Sequence, residues 1–400
     1  MTTQLVSDAE IVTDVAPASP GWAVAGCGAV TSVGADADET FEALCAGHSG
    51  LAPLRGFDPT RFGAQHAYEI DDRAATGTDE PWRATRWLVA AIEEAVRDAG
   101  LAPDLSDVPV IVGTGLRELR SLELWWRDGT PFEVAELDFH PALARRFGAT
   151  STHTLSNACS ASLYALALGS DMLEQGLADT VVVAGVDSIT QSMFGLLDRV
   201  QLEPPDAVRP FDRRRKGVLM GDGAAAVVLG RQSADGSEAR AYRGRLRAVG
   251  INSDAYHVTA PSAERIAVAI REAHLRAGVT RDDIDLVLLH GTGTLLNDEA
   301  EARAVVEVFG ERPAPLMTGI KSMVGHTSGG SGLLGLIVAL RAIESGRIPP
   351  VLGLDEPIEA AAGFRIVRDR ESAAAVATAQ VHAFGFGGVN AVAIVEGARP

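Results

Sequence analysis

The sequence predicts an α/β fold built in layers. Three observations carry that prediction: short apolar strands alternate with amphipathic helices, the alternation recurs in both halves of the 400-residue chain, and each half sets a buried helix beside its strands. A chain of this length exceeds one small core and suits two domains or a single duplicated one. Periodicity alone does not decide between those two.

Residues 1–20, acidic and rich in Pro and Ser, read as a flexible tail. WAVAGCGAV (22–30) then reads as a buried strand, and 82–100 as a helix closed by a C-cap glycine, Gly100. VPVIVGTG (108–115) is a second strand, 159–176 a helix ending at Gly176, and 180–186 and 223–230 are further strands. Helix, strand and helix follow at 264–278, 284–293 and 298–310, then a glycine-rich helix at 329–346. Two strands around a glycine turn close the chain at 375–397. The first half is placed at 21–245 and the second at 246–400.

Lys and Arg number 35 against 53 Asp and Glu, a formal charge of −18 that argues against nucleic acid or an anionic membrane as partner. An acidic partner would need a local basic patch. RPFDRRRK supplies one candidate (Arg209, Arg213, Arg214, Arg215, Lys216) and the pair Arg145 and Arg146 another, although such clusters are as often plain solvated faces. The three cysteines, Cys27, Cys45 and Cys159, are odd in number and form no CxxC, so neither a disulfide framework nor a thiolate metal site is expected. With no signal pattern at the N-terminus and no apolar run near the roughly 18 residues that span a bilayer, the expected location is cytoplasmic.

Cys159 sits in LSNACSASLYALALG, where small residues give way to an apolar run. A free cysteine is usually a small buried hydrophobe. Here Ala158, Ser160, Ala161 and Ser162 leave room for a group to approach the sulfur. A helix starting at this point would favour a thiolate and offer N–H groups to an oxyanion. LHGTGTLLNDEAEA puts His290 at the carboxyl end of a strand, where open α/β sheets bind ligands. GIKSMVGHTSGG puts Lys321 and His326 on one glycine-rich loop. Either histidine alone reads equally well as a backbone-bonded structural residue. Neither HxxxH nor HExxH occurs, so no metal is expected. AFGFGGVNA (383–391) is a tight hairpin or a gate carrying Phe384 and Phe386, and it lacks the context of a phosphate loop.

Taken in order, NACSAS, RPFDRRRKGVLMGDGA, HGTGTLLND, KSMVGHTSG and FGFGGVN make the chain resemble a β-ketoacyl synthase (ketosynthase) of the thiolase superfamily over nearly its whole length, as a divergent standalone member of the polyketide type. The resemblance implies a duplicated thiolase fold, layered α-β-α-β-α with mixed five-stranded sheets. It implies that Cys159 is the acyl-accepting nucleophile, that His290 and His326 assist decarboxylation and hold the enolate, and that Lys321 organises them. It further implies an oxyanion hole from the N–H groups of Cys159 and Phe386, pantetheine contacts from Thr292 and Thr294, a gate at Phe384, Phe386 and Val389, and support from Asp298. The substrates would ride on the phosphopantetheine arm of an acyl carrier protein, with no cofactor of the enzyme's own, and the enzyme would be a homodimer.

The sequence departs from the family pattern at several points. Relatives carry a glutamate nine residues after the second histidine and a threonine after the terminal glycines; here these are Gly335 and Val389. RDGFVxGEG appears as RKGVLMGDG. The stretch between 116 and 156 is altered and carries Trp125, Trp126 and Phe132, which either reshape the pocket or dimer contact or pack as an alternative core loop. The reaction implied is decarboxylative Claisen condensation in polyketide or other natural-product synthesis. The other readings are an aldol or lactone closure, acyl transfer without decarboxylation, and a non-catalytic chain-length subunit.

Overall fold

The computed structural model describes residues 21–74, 79–231 and 242–398, so the tail expected at 1–20 lies outside the described residues. In the first half, β1 (Trp22–Thr31), β2 (Val110–Gly113), β3 (Thr152–Leu155), β4 (Thr180–Asp187) and β5 (Gly223–Gly230) lie side by side in the order β3-β2-β4-β5-β1. β2 is parallel to β3 and β4, while β5 runs antiparallel to β4 and β1. The second half contributes β6 (Gly244–Ser253), β7 (Leu286–Leu288), β8 (Leu316–Thr318), β9 (Arg365–Ile366), β10 (Thr378–Gly385) and β11 (Val389–Glu396). Setting aside β9, which adds to the edge beside β8, these run β8-β7-β10-β11-β6 with the same parallel and antiparallel pairings.

Counted by chain position, both halves therefore read 3-2-4-5-1. The duplication that periodicity left open is a property of the topology. The two five-stranded units join edge to edge where β1 meets β6 through Trp22–Leu246, Ala23–Arg245 and Val24–Gly244.

Three apolar clusters give the layers. One outer layer packs α1 (Arg83–Asp98), with its stripe of Trp87, Leu88, Ala91, Ile92 and Ala95, on the first unit. In the middle, α2 (Ala161–Glu174) and its counterpart near the end of the chain lie between the units. The other outer layer packs α3 (Ala263–Ala277) and α4 (Leu295–Phe309) on the second unit. The second central helix, α5 (Ser331–Ser345), is buried without a break from Ser331 to Leu340, as a helix enclosed on every side must be. Small residues let the central pair approach closely. A Cβ on Gly332 would lie 2.6 Å from Leu163 Cγ, and Ser162 Oγ accepts the N–H of Leu333 at 3.2 Å.

Each central helix is entered through a one-turn 3-10 segment, Ala158–Ser160 before α2 and Ser328–Gly330 before α5. Both segments open on a non-glycine residue in the left-handed region, Ala158 at φ +48° and Ser328 at φ +45°. Such conformations cost of order 1–3 kcal/mol and persist where surrounding structure enforces them. Cys159 and Gly329 occupy the same place in the two halves.

Two expectations need correction. The strand expected at 284–293 is confined to Leu286–Leu288, because the chain turns at Gly291 (φ +46°) and Gly293 (φ +72°). The stretch carrying Trp125, Trp126 and Phe132 is not a core loop: Trp125 and Trp126 lie on the helix Leu119–Asp128, 44% and 82% exposed, and Phe132 stacks on Trp82 at 5.4 Å. None of the three lines the cavity described below. No helix among the described residues is long and apolar enough to cross a membrane.

Candidate active site

The three cysteines separate at once by environment. Cys27 and Cys45 belong to the central core, and burial pushes each thiol up to about 12. Cys159 instead lines a cavity of about 320 Å³ that also takes in His290, His326, Thr292, Thr294, Phe384 and Phe386. Its sulfur is met by its own N–H and by that of Phe386. Burial nevertheless pushes the Cys159 thiol up to about 11, outweighing the Lys321 ammonium and these N–H groups. The thiolate expected from a helix start is thus not the resting state, and α2 proper begins two residues later, at Ala161.

The two histidines present matched donors. His326 Nδ1 accepts the N–H of Ser328 at 3.2 Å, so its ring proton resides on Nε2, which is buried without a partner among the described residues. An unpaired buried donor costs about 1–3 kcal/mol, and this one belongs to a residue that lines the cavity. His290 stands just past the end of β7. Lys321 Nζ lies 3.3 Å from its Nδ1 and also donates to its backbone carbonyl. An ammonium has no lone pair to offer, so Nδ1 is the acceptor and the proton resides on Nε2. The rings are 5.4 Å apart at 84°. Burial, reinforced by Lys321, holds both imidazoles well below 6.5 and therefore neutral. Burial also draws Lys321 down to about 8, against the opposing charges of Glu301 and Asp298.

Two carboxylates missed in the sequence hold this arrangement. Glu301, on α4, accepts the N–H groups of His290 (2.7 Å) and Gly291 (2.9 Å) and contacts His382 Nδ1 at 2.8 Å. It is the strongest negative charge acting on Lys321, in a site where Gly335 supplies no carboxylate. Its spacing from Asp298, three residues along a helix, was the available signal. Asp187, at the end of β4, accepts from Thr114 Oγ1 (2.8 Å), Gly115 N (2.7 Å), Leu116 N (2.8 Å) and Gly329 N (2.6 Å). It ties the strand ends of the first half to the His326 loop of the second. Asp298 braces the 291–294 turn by accepting from Phe211 N (2.7 Å) and Gly293 N (3.2 Å), and burial pushes it up to about 6.

Thr292 and Thr294 share a hydroxyl contact of 2.9 Å at the cavity wall, and Thr294 caps α4 by accepting from Asn297 N at 3.3 Å. Phe386 is 39% exposed at the mouth, on a turn set by Gly387 (φ +85°) and Gly388 (φ +76°). That turn is fastened to a neighbouring loop: Gly387 N donates to Val258 O (2.8 Å) and Asp254 N to Gly388 O (2.9 Å). Val389 belongs to the gate only indirectly. It starts β11 opposite Gly385 and is absent from the cavity wall. In the basic cluster, Arg209 pairs with Asp206 (2.6 Å) and Arg215 donates to the carbonyls of Thr294 and Leu295; Arg213, Arg214 and Lys216 are the exposed members, of which Arg214 pairs with Asp355 and Lys216 with Glu203 (3.7 Å). Arg146 pairs with Glu93.

The β-ketoacyl synthase N-terminal domain matches residues 23–235, and the C-terminal domain matches residues 243–355. The chain belongs to the β-ketoacyl synthase family. The solved ishigamide ketosynthase/chain length factor is 32% identical to this synthase, covering 95% of this chain and 99% of that chain with a TM-score of 0.84. The chloroplastic 3-oxoacyl-[acyl-carrier-protein] synthase I of Hordeum vulgare is 28% identical over 94% of this chain and 89% of its own length. Nodulation protein E of Rhizobium meliloti (strain 1021) is 28% identical over 92% of this chain and 97% of its own. A type II polyketide synthase ketosynthase in complex with its acyl-carrier protein, 20% identical with a TM-score of 0.82, covers 95% of this chain and 100% of that chain and shares the fold. This ketosynthase is accordingly a condensing enzyme of the acyltransferase type.

Proposed function

We propose that this ketosynthase loads an acyl chain on Cys159 and extends it by decarboxylative Claisen condensation in polyketide or other secondary-metabolite synthesis. The observation that carries the reading is the convergence of two neutral Nε2–H donors and one cavity thiol in a single space. Cys159 Sγ attacks the carrier-bound thioester carbonyl, and the carrier thiol departs with the proton that Cys159 gives up. A thiol resting near 11 suits this exchange, which moves one thiol proton to another.

A malonyl thioester then loses carbon dioxide, and the electron pair of the broken bond forms an enolate whose oxygen accepts from His290 and His326. The enolate carbon attacks the acyl carbonyl, the N–H groups of Cys159 and Phe386 receive the tetrahedral oxyanion, and its collapse expels the Cys159 sulfur as a thiolate, which takes up one proton from solvent to return to the resting thiol. Thr292 and Thr294, both on the cavity wall, would bond the phosphopantetheine arm. The chain needs no cofactor of its own for this sequence. The partner is an acyl carrier protein, an acidic one meeting Arg213, Arg214 and Lys216. A second copy would pair along the free edge of β3. Three free thiols accord with a cytoplasmic setting.

Intact-protein mass spectrometry after incubation with acyl and malonyl carriers tests the reading. An adduct on the wild type that is lost in Cys159→Ala, followed by release of a 3-oxoacyl product and carbon dioxide, supports it. An adduct without carbon dioxide release would instead indicate transfer or cyclisation. Full pathway activity in Cys159→Ala would indicate a chain-length subunit.

A further inference from the structure

Behind the site runs a line of polar side chains that the proposed reaction leaves unused. Gln380 and His382 are alternate residues of β10, so both face the outer layer where α3 and α4 pack. Gln380 is fully buried and His382 is 3% exposed. An amide and an imidazole in an apolar layer are costly unless every polar atom is matched. Here the matching is continuous. His274 Nε2, on α3, lies 2.5 Å from Gln380 Oε1; Gln380 Nε2 lies 2.6 Å from His382 Nε2; His382 Nδ1 lies 2.8 Å from Glu301 Oε1.

The donor of each bond follows from the carboxylate. The Glu301 carboxylate accepts from His382 Nδ1, and the Gln380 amide nitrogen, which can only donate, makes His382 Nε2 the acceptor at the other side of the ring. It takes an N–H of Gln380, whose oxygen accepts from His274. All three bonds thus point toward Glu301, and aligned bonds of this kind strengthen one another. The carboxylate they reach holds the N–H groups of His290 and Gly291. Phe384 lies 5.2 Å from the His382 ring and 5.6 Å from that of His290, an apolar partition between the two imidazoles. His382 therefore acts through Glu301 and not by proton transfer to His290.

We infer that His382 is a positioning residue which, with Gln380 and His274 aligned behind it, fixes the Glu301 carboxylate and through it the backbone of His290 and the negative charge facing Lys321. The charged or titratable groups around His382 are Glu301 from α4, His274 from α3 and His290 from the turn after β7. The inference rests on the proposed condensation, but two of its tests need no substrate.

In histidine-labelled wild-type enzyme, long-range nitrogen–proton NMR should show His382 as the Nδ1–H tautomer; an Nε2–H tautomer overturns the relay. Below about pH 8, where Lys321 keeps its proton, iodoacetamide should alkylate Cys159 several-fold more slowly in His382→Phe and so lower that limb of the rate profile, because the ammonium loses the fixed charge opposite it. An unmoved profile in a folded variant overturns the inference. With malonyl-N-acetylcysteamine as probe, His382→Phe should lose about 10–100-fold in kcat with KM retained. His382→Asn, which keeps a short donor, should recover part of that loss. Gln380→Leu, which interrupts the line one bond further out, should show a smaller loss in the same parameter and serves if His382→Phe does not fold. Wild-type kcat in both folded variants overturns the proposal, whereas a wild type that never acylates Cys159 overturns the proposed function instead.

Discussion

Lys321 Nζ reaches both the ring Nδ1 of His290, at 3.3 Å, and the carbonyl of the same residue, so one ammonium fixes a tautomer and the backbone that carries it. Lys321→Met should leave acyl loading on Cys159 detectable while lowering malonyl decarboxylation about 10²–10³-fold. Separate assays of adduct formation and carbon dioxide release check this. Equal losses in both steps would count against the assignment.

The pH dependence follows from the same pair. The imidazoles are held well below 6.5, so the donor pair stays neutral on lowering the pH to that point. Raising the pH through about 8 removes the Lys321 proton, and with it the donor that keeps His290 Nδ1 an acceptor. Decarboxylation at saturating substrate should therefore be level between about 6.5 and 8 and fall above it. Lys321→Met should lose that alkaline limb.

His326→Phe removes the unpartnered Nε2–H while keeping a ring in place. Loss of one preorganised donor is expected to lower carbon dioxide release about 10²–10³-fold, again with the adduct on Cys159 retained. Unchanged release would show that the enolate is held elsewhere.

Thiol labelling distinguishes the cysteines. Native enzyme should take one iodoacetamide equivalent, on Cys159, at a rate that climbs with pH toward about 11, and peptide mapping locates it. Cys27 and Cys45, packed in the core, should label only after denaturation.

At the mouth, Gly387→Ala meets no neighbour within 4 Å and carries only the strain of φ +85°, of order 1–2 kcal/mol. Gly388→Ala would place its Cβ 1.8 Å from Asp254 Oδ1, tearing the turn from the loop that holds it. Acyl loading should suffer clearly more in the second variant than in the first, as steady-state loading rates will show.

The residues legible in the sequence were those whose chemistry is announced by their immediate neighbours. Cys159 among small residues, His290 at a strand end and His326 in a glycine loop all line one cavity. The alternation of elements likewise set the layers, and β5 was placed to the residue. Glu301 and Asp187 escaped because their partners, most of them backbone N–H groups, are brought together only by folding; Asp187 reaches across 72 residues to Gly115 and 142 to Gly329. Gln380 and His382 left a trace, two polar residues alternating within an apolar strand, but the strand reads as core without the helices that meet them. Trp125 and Trp126 show the opposite failure, since large apolar side chains in sequence do not reveal that they stay at the surface.

The paired entry turns set a stoichiometry. Gly329 stands in the second half where Cys159 stands in the first, and a Cβ there would fall 2.5 Å from Thr114 Cα. No side chain, and so no second sulfur, fits that place. A chain assembled from two copies of one topology thus carries a sulfur at one of the two matching positions and, at the other, a glycine whose N–H is held by Asp187. Under the proposed function, each molecule holds one growing chain at a time.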